Sequence, residues 1–134
     1  MILLSNTVAQ TLAPGAALAF DNVIRRTDSS VSHRSGSTAS VLRSSCGSYD
    51  ISFHGNVSGA AAGTPVQLSI QLGGATLPET TMISTPGTAD TFNNVSAETT
   101  VGCSGFAEAV TVVNTGTEAI TVGANAVLSI EHHC

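Results

Sequence analysis

At 134 residues the chain is long enough to enclose one core and too short for two ordinary domains. Charged residues make up only 10% of it, Trp is absent, and Ala, Val, Ser, Thr and Gly dominate, which excludes a charge-rich disordered chain. The net charge of −5, with no Lys and all four arginines before residue 44, argues against nonspecific binding to nucleic acid, and no apolar run approaches the roughly 20 residues of a membrane helix.

The opening Met-Ile-Leu-Leu is a small apolar cluster with no basic residue before it, and Ser5, Asn6, Thr7 and Gln10 interrupt it too early for a signal-peptide core. Export by the standard secretory route is therefore not expected. Val8 to Leu12, Ala17 to Val23 and Val31 to Leu42 read as three or more strands, separated by Pro14-Gly15, by residues 26–30 and by Ser35-Gly36-Ser37. The clearest alternation follows at Tyr49-Asp50-Ile51-Ser52-Phe53-His54-Gly55-Asn56-Val57, a half-buried strand. Pro65 to Leu72 repeats it, with Val66, Leu68, Ile70 and Leu72 on one face, and stops at the hairpin signal Gly73-Gly74. Thr91 to Val101 reads as a weaker strand after the Thr85-Pro86-Gly87-Thr88 turn. Phe106 to Val113, Ile120 to Val122 and Ala126 to Ile130 complete the set. No window repeats at helical spacing, so the fold class is all-β: a sandwich, jelly roll or barrel.

Catalytic signatures are absent from this pattern. Gly102-Cys103-Ser104-Gly105 lacks the Gly-x-Ser-x-Gly elbow and reads as a β-turn, and nine scattered acids without an aromatic platform make a poor glycosidase. No enzyme activity and no cofactor are expected. At the C-terminus, Glu131-His132-His133-Cys134 offers His132 and His133 as candidate zinc ligands. Neighbours on a strand point to opposite faces, so one ion would need His132 or His133 from three symmetry-related copies. The expected reading is a polar tail with no metal. Three cysteines, Cys46, Cys103 and Cys134, cannot all pair within the chain and default to reduced thiols.

The order Gly47-Ser48-Tyr49-Asp50-Ile51-Ser52-Phe53, then Gly63 to Leu72, then Gly73-Gly74-Ala75-Thr76-Leu77-Pro78, resembles the trimeric jelly roll of tumour necrosis factor and the complement globular head. Ala109 to Gly116 and Ala126 to Ile130 sit where that family places its last two major strands. Within it, the chain resembles small domains of phages and prophages and the tips of spore-surface collagen-like glycoproteins. The likeness spans roughly residues 45 to 131 and implies a two-sheet jelly-roll homotrimer. Residues 1–45 are then N-terminal strands or an anchoring and docking arm, and 46–134 the jelly-roll body, in a single domain overall.

The resemblance further implies an inner sheet made of the strands at 49 to 57, 106 to 113 and 126 to 131, with His54 and Ser129 at the trimer interface. Cys46 would lie beside Cys134, close enough for a disulfide, with Cys103 at the opposite end. The function implied is that of a non-enzymatic structural protein of a bacteriophage virion, a capsid decoration or head fibre on the particle surface. Its partners would be the major capsid protein or another virion protein, docked through Arg25 and Arg26, with no nucleic acid and no membrane. The alternative is the receptor- or glycan-binding head of a phage fibre or bacterial adhesin.

Overall fold

The computed structural model describes residues 1–104 and 106–134. Thirteen strands build two antiparallel sheets: β1 (Ile2–Ser5), β2 (Gln10–Leu12), β3 (Asn22–Arg26), β4 (Val31–His33), β5 (Ser40–Leu42), β6 (Ser48–Ser58), β7 (Val66–Leu72), β8 (Ala75–Thr76), β9 (Met82–Ser84), β10 (Asn93–Gly102), β11 (Glu108–Asn114), β12 (Ile120–Val122) and β13 (Val127–His133). Among the described residues no helix is long and apolar enough to cross a membrane.

β6 organises the first sheet. Tyr49, Ile51, Phe53 and Val57 point inward and are buried, while Asp50, His54 and Asn56 face out, because a strand sends successive side chains to opposite faces. One edge of β6 pairs with β10 over ten residues, from Val57↔Asn93 to Ser48↔Gly102. On its other edge β12 and β13 follow one another, and beyond them lie β2 and β1, with β3 at the margin. In the second sheet β11 lies between β5 and β7, β4 flanks β5, and β9 and β8 cover the far edge of β7. Merging the interrupted strands leaves two layers of five strand positions each, a jelly-roll sandwich. Inward side chains such as Leu4, Ile51, Leu128 and Ile130 meet Val31, Leu68, Ile70 and Val112 from the other sheet.

Two strands depart from the reading of the sequence. The inner sheet does not contain the strand near 106 to 113: β11 belongs to the second sheet, and β10 takes the place beside β6. The strand expected over Ala17 to Val23 begins only at Asn22, as β3, and residues 17–21 form no strand. They cross between the layers through isolated bridges at Ala17 and Phe20, burying Leu18 and Phe20. Residues 1–45 supply strands to both layers, with β1, β2 and β3 in the first sheet and β4 and β5 in the second.

Buried polar groups tie the layers. Asn114, fully buried at the end of β11, donates from Nδ2 to the carbonyls of Leu12 (2.9 Å) and Glu118 (2.8 Å), and its Oδ1 accepts from Gly116 N (2.9 Å). At the other end, the Tyr49 hydroxyl donates to Ser30 O (3.0 Å) and accepts from Ser44 N (2.9 Å), joining β6 to the loops around β4 and β5. Asn6 fixes the kink between β1 and β2: Nδ2 donates to Val8 O and Gly123 O, and Oδ1 accepts from Ala126 N. Among the described residues no buried side-chain nitrogen or oxygen lacks a partner. Replacing Asn114 by Ala strands three backbone groups at about 1 kcal/mol each, so Asn114→Ala is expected to lower stability by about 3 kcal/mol. Urea unfolding measures this as a lower midpoint at unchanged slope.

Candidate functional site

The register defines a continuous outward face on the first sheet. Across its middle the paired positions run Arg25, Leu3, Ser129, Ser52, Glu98, from β3 through β1, β13 and β6 to β10. Five strands at about 4.8 Å spacing make that row roughly 19 Å long. The adjacent row sets Val127, His54 and Ser96 side by side, and the next sets Glu131, Asp50 and Thr100. In the middle row Arg25 stands at the β3 edge, Leu3, Ser129 and Ser52 follow, and Glu98 stands on β10, while Asp50 and Glu131 place two further carboxylates on the central strands. A shallow depression of about 370 Å³ lies here, lined by Asp50, Ser52, Glu98, Thr100, Ser129 and Glu131.

His54 and Ser129 share this face, on neighbouring strands one row apart. Arg25 and Arg26 are exposed on β3, and Arg26 donates to His33 O at 3.2 Å. Arg25, expected on a separate docking arm, stands in the same row as Ser129. Sequence reasoning missed Glu98 and Asp50, although the outward alternation Asn94, Ser96, Glu98, Thr100 carried the signal.

Asp50 is the most constrained carboxylate on the face. It accepts from Thr100 Oγ1 at 2.7 Å and meets His133 Nε2 at 2.9 Å. The Thr100 hydroxyl foremost, helped by His133, holds its carboxyl below the usual range against a smaller desolvation effect.

The second cluster lies at the end of the same sheet. Cys46 and Cys134 are joined in a disulfide with Cα atoms 5.3 Å apart. Cys103 lies at this end and not the opposite one: β10 runs antiparallel to β6, so Gly102 pairs with Ser48 and the Cys103 amide donates to Gly47 O (3.0 Å). The Cys103 thiol donates to Cys46 O at 2.7 Å. His132 and His133 separate as the pleat requires. His133 turns outward to Asp50, while His132 donates from Nε2 to Cys46 O (2.8 Å) and lies on the Tyr49 ring, centroids 4.7 Å apart. Ser104 is engaged in its own turn, accepting from Phe106 N at 3.3 Å, and Gly105 of that segment lies outside the described residues.

No family model matches the chain, and no curated protein matches it. Among solved structures it is similar to PRD1 vertex protein P5, with a TM-score of 0.53 at 13% identity over 95% of this chain and 93% of that one. A CBM35 from Cellvibrio japonicus Abf62 is also similar, with a TM-score of 0.48 at 14% identity over 98% of this chain and 94% of that one. At these identities the likeness is one of fold.

Two outcomes follow. The disulfide closes a separation of 88 residues, so Cys134→Ser is expected to cost about 2–4 kcal/mol in urea unfolding under oxidising conditions. Because Asp50 has a depressed carboxyl in the folded state, its contribution is complete above the ordinary carboxylate range and disappears as pH falls through the folded value. In Asp50→Asn, urea midpoints taken at about pH 6 and about pH 3 should therefore differ less than in the native chain.

Proposed function

We propose that this chain is a non-enzymatic structural protein of a bacteriophage virion, a homotrimeric capsid-decoration or head-fibre protein displayed on the particle surface. The observation that carries the reading is the transverse row from Arg25 to Glu98 across the outward sheet face. A row that begins at Arg25, ends at Glu98 and holds only Leu3, Ser129 and Ser52 between them suits a head-to-tail interface. Such an interface joins the basic edge of one copy to the acidic side of the next, and it closes into a ring when the rotation allows. His54 and Ser129 then lie within that interface. The similarity to PRD1 vertex protein P5 covers nearly the whole of both chains and supports a jelly roll that serves a particle as a module. The net charge of −5 disfavours a partner bound through phosphates, in keeping with a protein partner on the shell.

Sedimentation velocity at micromolar concentration is expected to return a trimer, and a monomer would overturn the assembly. Arg25→Glu and Glu98→Arg should each shift the dissociation midpoint to about tenfold higher concentration or more, and the double exchange should restore it. Particles purified from a producing host should carry threefold density on the shell. The same density at a tail tip would favour the receptor-binding head instead.

A further inference from the structure

We propose that Cys46, His132 and Cys134 form a zinc site in the reduced protein, with Cys103 as the fourth ligand, so that this end of the sheet alternates between a disulfide and a metal centre. Cys46 and Cys134 each offer a sulfur and His132 a ring nitrogen, and these three atoms all lie within 4.8 Å of one another. A tetrahedral zinc ion with Zn–S of about 2.3 Å and Zn–N of about 2.1 Å needs ligand atoms roughly 3.4–3.8 Å apart. Small side-chain movements bring these three to that spacing, and the Cys103 thiol, 2.7 Å from the Cys46 carbonyl oxygen, would turn from that oxygen to the ion.

The convergence does not depend on the disulfide. His132 and Cys134 are two residues apart and fall on the same side of an extended chain. The register Tyr49↔His132 and Ser48↔His133 carries the end of β13 alongside the start of β6. Gly47, at φ +75, packs so closely on this segment that a Cβ there would stand 1.7 Å from His133 O. Backbone pairing of Cys103 with Gly47 holds the fourth residue in place. When the bond between Cys46 and Cys134 opens, these constraints leave the thiols together.

His132 keeps one ring nitrogen free to act as a ligand. Its Nε2 carries the hydrogen, since its partner is the Cys46 carbonyl oxygen, and Nδ1 is left with the lone pair. A ring N–H donated to a backbone carbonyl is the common outer support of zinc-bound histidine. The cluster also has an approach: His132 lines an open depression of about 370 Å³ with Asp28, Ser29, Ser30, Arg43 and Ser44. Three thiolates and one Zn²⁺ carry a net single negative charge, and Arg43 at the rim offsets it.

The exchange balances with a low-molecular-weight thiol as reductant. Two such thiols become one disulfide, and their two electrons and two protons pass to Cys46 and Cys134 as the S–S bond breaks. Zinc then displaces three thiol protons, from Cys46, Cys103 and Cys134, into solvent. A low-molecular-weight disulfide reverses the sequence and releases the ion.

Cobalt(II) tests the site, using the full chain reduced with a phosphine, which binds no thiol. One equivalent is expected to give thiolate-to-cobalt charge-transfer absorption with the intense visible bands of tetrahedral coordination, and zinc should bleach both. The oxidised protein should give neither. His132→Ala should weaken cobalt binding at least tenfold, Cys103→Ser should reduce the charge-transfer intensity by about a third, and Cys46→Ser with Cys134→Ser should abolish it. Circular dichroism accompanies each titration, and zinc is expected to raise the thermal midpoint of the reduced native chain but not that of His132→Ala. A folded reduced protein without tetrahedral cobalt bands, or a signal unchanged by His132→Ala, would overturn the site. So would a reduced chain that unfolds and does not refold with zinc.

Discussion

The double-edged pairing of β6 is the constraint on which the rest of the structure depends. Ten residues of β10 bind one edge, and β12 with β13 bind the other, so β6 cannot slip by one residue without breaking both ladders. Such a slip would turn Tyr49, Ile51 and Phe53 into solvent and bring Asp50, Ser52 and His54 into the core. Fixing the register of this strand therefore fixes which side chains make the interior and which make the polar face. The same two ladders carry Cys103 and Cys134 to the N-terminal end of β6, beside Cys46.

A sandwich also needs its layers held at a set separation, and polar clasps at the two ends do this. Asn114 ties the end of β11 to the end of β2, and the Tyr49 hydroxyl ties β6 to the loops flanking β4 and β5. Both are buried, where an unmade hydrogen bond costs more than a made one contributes, so they specify the arrangement more than they add to its stability. Asn6 works within the sheet. It satisfies backbone groups at the matching breaks of two neighbouring strands, which lets the paired strands bend together.

Much of this was legible in the residues. β6 and β7 stand out because their inward positions are large: Tyr49, Ile51 and Phe53 in one, Leu68 and Ile70 in the other. β10 was harder, since its inward positions after Val95 are Ala97, Thr99 and Val101, which half-bury and give a faint alternation. β1 hid in an apolar cluster of the kind that also opens leader peptides, and β9 is only three residues long. Periodicity states that a strand has a buried side but not which sheet it joins, and the sheet that the family resemblance implies for the strand at 106 to 113 is not the one that β11 occupies. The row linking Arg25 to Ser129 was not legible at all. It depends on the irregularity between Leu3 and Leu4, where β3 carries Ile24 as an extra residue.

His132 and His133 show how far one pleat can divide chemistry. As neighbours on a strand they are not expected to share one ion within a chain, and the structure parts them. His133 joins Asp50 and Thr100 on the outward face, and His132 joins Tyr49 and the cysteines at the end of the sheet. The two environments are nevertheless bound to one strand, whose pairing with β6 runs through seven residues from Val127↔His54 to His133↔Ser48. That ladder is noncovalent and is built from residues that lie between the two cysteines in sequence. Opening the disulfide therefore removes a constraint from the unfolded chain while the outward face keeps its register, so the polar surface and the thiol cluster can act independently although one strand serves both.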